Sequence, residues 1–267
     1  MKKTFYFYLA IGLMLGSVMF VSCGNNDDDD SGAAVPGEYE RDQAGNIIIN
    51  SYNFPDVAFR VYLYDKYGVG GVITHADIEK ATKIDVSYKD VKDLRGLEIF
   101  FKLDTLLCSG NQLTSLDLSK FVFLTHLECS SNQLTSLDVS KNVALLELEC
   151  FENKLTSLDV SKNLGLGELY CYSNQFTSLD VSQNNFLTLL DCSFNRLTSL
   201  DVSENIALIR LDCSSNQLTS LDVSQNSQLV NLDCSTNKIT YLDVTMNKDL
   251  KFFEYDEDEV EVIGWPR

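Results

Sequence analysis

Histidine is almost missing from this chain: His75 and His126 are the two copies in 267 residues. The commonest general base and proton shuttle is therefore scarce, and the neighbours of His75 and His126 form no recognisable triad. No glycine-rich phosphate loop occurs, and no Cys-x-x-Cys pair of the kind zinc sites use. These absences argue against an enzyme and call for no cofactor. Positive charge is also short: 21 Lys and Arg stand against 39 Asp and Glu, a formal net charge of -18. Such a surface repels phosphate backbones and anionic lipid, so nucleic acid is not an expected partner.

The first residues read as an export signal. Lys2 and Lys3 precede a nearly unbroken apolar run from Thr4 to Val21, which ends in Ser22-Cys23. The run is almost long enough to span a bilayer, but the Gly24-Asn25-Asn26 and aspartate run after it holds no positive stop-transfer charge. A small residue before a cysteine at this place resembles the bacterial lipobox. The resemblance implies a signal peptide over 1–22, lipid attachment at Cys23, and membrane contact through that lipid only. Asp27 to Asp30 also resemble the surface-export signal of Bacteroidetes lipoproteins. The expected location is the bacterial outer membrane, lipid-anchored and surface-exposed. Residues 23–50 are rich in Gly, Asn, Asp and Ala, lack a hydrophobic period, and read as an acidic flexible tether.

From Leu103 the chain repeats itself every 21 residues, at Leu124, Leu145, Leu166, Leu187, Leu208 and Leu229, with a partial copy from Leu250. Each copy reads LxxLxCSxNxL and then LTSLDVSxN. The first half resembles the leucine-rich-repeat consensus with Cys at its third apolar place. The resemblance implies a repeat solenoid, mainly β, coiled right-handedly with parallel strands, and a family role in protein binding. One coil cannot hide its apolar row, whereas stacked coils bury Leu on Leu and pair their backbones ~4.8 Å apart. The second half mirrors the first, so a second strand, Leu-Asp-Val, is expected on the convex side. Asn111, Asn132, Asn153, Asn174, Asn195, Asn216 and Asn237 are expected to bond exposed backbone of neighbouring coils.

Both ends of the repeats, 84–249, need caps. Residues 51–83 read as helical, with Pro55 in a first helical turn and Thr74-x-x-Asp77 as a capping box. This piece resembles a helix-loop-helix cap whose loop is a degenerate EF-hand. Gly71 and Ile73 fit the pattern, but Lys66, Gly68 and Gly70 stand where carboxylates should, too few oxygens for calcium. No metal is expected. Residues 250–267 form the C-terminal cap, with Phe252, Val260, Val262 and Trp265 covering the last coil.

Two further rows recur at the repeat spacing. Cys108 to Cys234 form a ladder of seven, an odd number on in-register strands with poor geometry for disulfides. Buried thiols acting as small hydrophobes are expected. Asp117 to Asp243 point outward, where like charges ~5 Å apart repel by ~0.8 kcal/mol per pair in water. Hydrogen bonds from Ser and Thr, or bound cations, would offset this.

Departures from the chain's own pattern mark the candidate site. Phe151, Tyr170, Tyr172 and Phe194 replace small or acidic residues around the cysteines of the third to fifth copies, with Glu149, Asp191 and Arg210 nearby. Exposed aromatics with a polar rim suit binding. Drift on a tolerant surface is the plainer account. The function that emerges is a surface module binding a protein partner, with a glycan binder and a structural spacer as alternatives.

Overall fold

The computed structural model describes residues 39–265. The expected signal peptide, Cys23 and the first part of the expected tether lie outside the described residues. The rest of the tether does not float: Tyr39 packs on the core, and Ile47 and Ile49 are buried. Strand β1, Ile47–Ile48, pairs antiparallel with β2, Val72–Ile73. Asn53 ties the segment down, accepting from the Glu40 N–H and donating to the Glu40 and Ile48 carbonyls. The N-terminal cap thus begins near residue 39.

Helix α1, Val57–Tyr67, starts at Asp56, whose carboxylate accepts from the Phe59 N–H at 2.8 Å, an N-cap. Pro55 precedes that cap and is not in the first turn. Phe59, Tyr62 and Leu63 form its buried side. Helix α2, His75–Lys80, carries the capping box read from the sequence: Thr74 Oγ1 accepts from the Asp77 N–H, and the Asp77 carboxylate accepts from the Thr74 N–H.

The solenoid follows. Strands β3 (Lys83–Asp85), β4 (Thr105–Leu107), β5 (His126–Glu128), β6 (Glu147–Glu149), β7 (Glu168–Tyr170), β8 (Leu189–Asp191), β9 (Arg210–Asp212) and β10 (Asn231–Asp233) make a parallel ladder, one strand per coil. Every pairing is in register, Leu127 on Leu148 on Leu169. The side-chain period of two puts these leucines inward together with the cysteines two places on, and both rows are fully buried or nearly so. After each cysteine the chain turns through a left-handed residue, Gly110 first and then Ser131, Glu152, Ser173, Phe194, Ser215 and Thr236.

The second half of the repeat differs from expectation. Leu137 and Val139 point inward and are buried, but Leu-Asp-Val forms no ladder strand in the inner coils. The donors just after it bond locally: the Ser140 N–H goes to the Asp138 carboxylate at 2.9 Å, and the Asn142 N–H to the Val139 carbonyl. A strand appears there only at the end, where β11 (Tyr241–Asp243) pairs with β13 (Glu261–Ile263).

The C-terminal cap shifts by one residue from the sequence reading. Strand β12, Phe252–Glu254, pairs with β10 so that Phe253 stacks over Leu232. Phe252 therefore points out and is exposed. Phe253 instead packs on the core, with the Trp265 ring edge-on at 5.3 Å and Tyr255 stacked at 4.6 Å.

Two amide rows hold the coils together. Asn174 Nδ2 donates to the Cys150 carbonyl of the preceding coil and the Cys171 carbonyl of its own, and its Oδ1 accepts from the Leu155 N–H. Asn132, Asn153, Asn195 and Asn216 repeat this. A second row, Asn142 to Asn247, donates to two backbone carbonyls at each coil, while its Oδ1 atoms have no donor among the described residues.

Candidate binding face

The ladder displays three outward columns, because residues at even steps along each strand share a face. The first column runs through His126, Glu147, Glu168, Leu189 and Arg210. The second runs through Glu128, Glu149, Tyr170, Asp191 and Asp212. The third, just past the cysteines, is serine except at Phe151 and Tyr172.

Phe151 and Tyr172 meet. Their rings lie parallel, centroids 4.3 Å apart and planes within 8°. Tyr170 stands one column over on the same coil as Tyr172, its hydroxyl donating to Glu168 at 3.0 Å. Phe194 does not join the stack. It occupies the left-handed turn position at φ 52° with its ring 61% exposed. Of the predicted polar rim, Asp191 is sheltered on this face. It is buried, and its carboxylate accepts from the Ser193 hydroxyl at 2.7 Å and the Ser193 N–H at 3.2 Å. Arg210 lies on β9, three strands from Phe151, or ~14 Å at ladder spacing. There it lines a separate hollow of about 260 Å³ with Asp212, Asn231, Phe252 and Glu254. The predicted residues thus share one face but divide into an aromatic group and an arginine pocket.

Negative charge concentrates beside the aromatics. Partial burial, and then the carboxylates of Glu128, Glu147 and Glu168, push the Glu149 carboxyl up to about 7. Burial foremost, then Glu147, raises Glu128 as well. His126 approaches Glu147 at 3.8 Å. Glu147 and Glu168 escaped the sequence reading, which compared positions around each cysteine and not the start of each strand. Also unforeseen is an open hollow of about 780 Å³ between α1 and the first coil, lined by Tyr62, Lys66, Asp85 and Tyr88.

The outer aspartates are settled by hydrogen bonds. Asp117, Asp138, Asp159, Asp180, Asp201, Asp222 and Asp243 each accept from the N–H two residues on, and these bonds hold their carboxyls below the usual range. All seven ladder cysteines are free and buried, and burial drives thiols such as Cys129, Cys171 and Cys213 well above their ordinary 9.0.

A parallel in-register ladder with one leucine-centred strand per coil, sealed by stacked asparagines and capped at both ends, is a leucine-rich-repeat solenoid. No family model matches the chain, and no curated protein matches it. Solved structures do. The functional domain of InlJ from Listeria monocytogenes, which itself includes a cysteine ladder, is 30% identical over 77% of this chain, with a TM-score of 0.52. This chain spans 60% of that domain. Internalin C2 of the same organism is 20% identical over 81% of this chain and all of its own, with a TM-score of 0.71. A leucine-rich-repeat protein of Leptospira interrogans is 25% identical over 69% of this chain and 50% of its own, at 0.63.

Proposed function

We propose that this chain is a lipid-anchored surface protein whose ladder face binds a protein partner, with contact centred on Phe151, Tyr170, Tyr172 and Phe194. The observation that carries this reading is the Phe151–Tyr172 stack, two aromatic rings on a face where the other copies have serine. Phe194 supports it. A bulky side chain in the left-handed region costs ~1–2 kcal/mol, and most other copies place Gly, Ser or Thr there. A strained, exposed aromatic that contributes little to packing fits a role in contact. The surrounding carboxylates suit a partner that offers basic groups beside apolar ones. A protein fits better than a glycan, because Phe151 and Tyr172 cover one face of each other and leave less open ring for a sugar. The cap reads as a degenerate EF-hand kept for structure, its Asp77 carboxylate held by Thr74. Anchoring rests on the lipobox-like Ser22-Cys23.

The test is a binding screen of the full chain against arrays of proteins and glycans, beside a variant with all four aromatics changed to Ala. A protein bound by the parent and lost by a variant of unchanged melting temperature supports the reading. A glycan lost in the same way transfers the face to sugar. A ligand the variant retains moves the site elsewhere.

A further inference from the structure

A different surface carries a second inference. Between the second half of each repeat and the next ladder strand, the chain runs along one edge of the solenoid, and there it leaves large apolar side chains in water. Phe123 is 59% exposed, Leu146 47%, Phe186 69% and Ile209 46%. Val143, Leu164 and Ile206 lie exposed beside them. Backbone bonds hold these edge segments in step from coil to coil: the Leu146 N–H donates to the Thr125 carbonyl and the Ile209 N–H to Thr188. The apolar residues therefore form a continuous strip, larger than the scattered hydrophobes an ordinary surface carries.

Over five coils the residues that flank the strip follow a rule, which fails beside Phe123, where Lys120 stands across from His126. On the side of the outer aspartates stand Lys141, Lys162, Gln183, Glu204 and Gln225. On the ladder side, six residues later in each case, stand Glu147, Glu168, Leu189, Arg210 and Asn231. Lys faces Glu twice, neutral faces neutral twice, and where the first flank turns acidic the second turns basic. Among the described residues none of these charged pairs forms an ion pair within the chain. The complementarity is written across the strip and not used inside one molecule.

We infer that the strip is the self-association surface of a two-fold dimer, with the solenoids side by side and parallel. A two-fold axis running along the solenoid keeps each coil opposite its own copy and exchanges the two flanks. It sets Lys141 of one molecule opposite Glu147 of the second, Lys162 opposite Glu168, and Glu204 opposite Arg210, each contact made twice. An antiparallel pair, with the axis across the middle of the strip, sets Lys162 opposite Glu204 and Glu168 opposite Arg210 but leaves Lys141 and Glu147 opposite the neutral Gln225 and Asn231, so the parallel pair matches more of the charges. The parallel arrangement also brings both N-terminal caps to the same end. From Phe123 to Ile209 the strip spans five coils at ~4.8 Å and six residues of width at ~3.3 Å, about 500 Å² per partner. That is below the ~800 Å² of a standard interface, and each chain carries a net charge of -18. A weak dimer, seen at high concentration, is expected.

Sedimentation velocity on the full chain over a concentration series tests this, with two charge-reversed variants. One is Lys141→Glu with Lys162→Glu, and the other is Glu147→Lys with Glu168→Lys. Each alone is expected to dimerise at least ~10-fold more weakly than the parent. The second variant should do so although its net charge is smaller in magnitude, which separates local contacts from overall repulsion. Mixed one to one, the variants are expected to pair with each other at near parental strength, since both flanks become complementary again. A Leu146→Glu, Ile209→Glu variant with unchanged melting temperature is expected to stay monomeric. The inference is overturned by a parent that remains monomeric at every concentration, by reversed variants that dimerise as the parent does, or by a mixture no stronger than its components.

Discussion

Replacing Asn174 with alanine is expected to destabilise the solenoid by about 3–5 kcal/mol, and by clearly more than replacing Asn184. Both side chains are buried and belong to repeating rows; Asn184 Nδ2 donates to two backbone carbonyls, and Asn174 Nδ2 to two, with a longer, shared contact to the Tyr172 carbonyl at 3.3 Å. The difference lies in the oxygen. Asn174 Oδ1 accepts from the buried Leu155 N–H at 3.0 Å, whereas Asn184 Oδ1 has no donor. The carbonyls that either residue leaves behind keep other donors: Cys150 still receives Asn153, and Val160 still receives the Asn163 N–H. Asn174→Ala strands the Leu155 N–H with no water to replace the bond, at ~1–3 kcal/mol, on top of about 1 kcal/mol net for each donated bond. Asn184→Ala loses the donated bonds but also removes an unpaired acceptor, so about 1–2 kcal/mol is expected. The assay is urea unfolding of both variants, with midpoints compared at matched slope so that partial unfolding of an end coil is recognised. Equal losses, or a larger loss at Asn184, would refute the view that the first asparagine row is held by its acceptor as well as its donors.

The cysteine ladder yields a second prediction. Cys171 is fully buried with no partner for its thiol among the described residues, so Cys171→Ser buries an unmatched hydroxyl at about 1–3 kcal/mol. Cys171→Ala should cost less than Cys171→Ser, and the native thiols should resist alkylating reagents at pH 8 until the chain unfolds. Fast labelling of any of the seven ladder thiols in the native protein, Cys23 being counted apart, would refute that burial. A third prediction concerns pH. The folded chain keeps the Glu149 proton up to about 7, while the unfolded chain releases it near the ordinary 4.5. This group therefore subtracts stability as pH rises from 4.5 to 7, fully so above 7. Glu149→Gln should stabilise at pH 8 and not at pH 4, by an amount reduced because the side chain is partly in water. The outer aspartates act in the opposite sense. Their lowered values add stability above the ordinary 3.8, lost as pH falls through the folded values. Thermal melts of both proteins from pH 3 to 8 check each sign.

The inward half of this fold was legible because repetition makes periodicity hard to mistake. Leu127, Cys129, Leu137 and Val139 are all buried as their spacing required, and the asparagine row bonds the backbone of adjacent coils. The parallel pairing of the Leu-x-Cys strands was legible too, but that the second half would not pair was not. Leu-x-Cys and Leu-Asp-Val carry the same hydrophobic pattern, but in the inner coils only the first builds a ladder. Composition misled at residues 39–50, where three isoleucines, too short a run to show a period, anchor a segment otherwise polar. At Phe252 and Phe253 the repeat had ended and only pairing with β10 fixed the register. The four aromatics were found because they break the pattern, yet the sequence could not show that Phe151 and Tyr172 stack while Phe194 stands apart.

The two proposed surfaces do not compete for space. The aromatic group lies in the second and third ladder columns and at the turn beyond them, while the edge strip lies before the first column, so only the first-column residues Glu147, Glu168, Leu189, Arg210 and Asn231 border both. In a parallel pair the exchange of flanks turns the two ladder faces to opposite sides, each open, with both caps at one end. If each face holds a weak protein contact, a dimer meeting a repetitive or paired partner makes the second contact intramolecular, and its strength is set by effective concentration and not by a further bond. A separate prediction follows for the charge-reversed Lys141→Glu, Lys162→Glu variant, which leaves every aromatic in place. It should bind a monovalent partner as the parent does and a clustered one more weakly. Equal loss for both forms of partner would mean that the strip itself touches the partner, and the two surfaces would then be one.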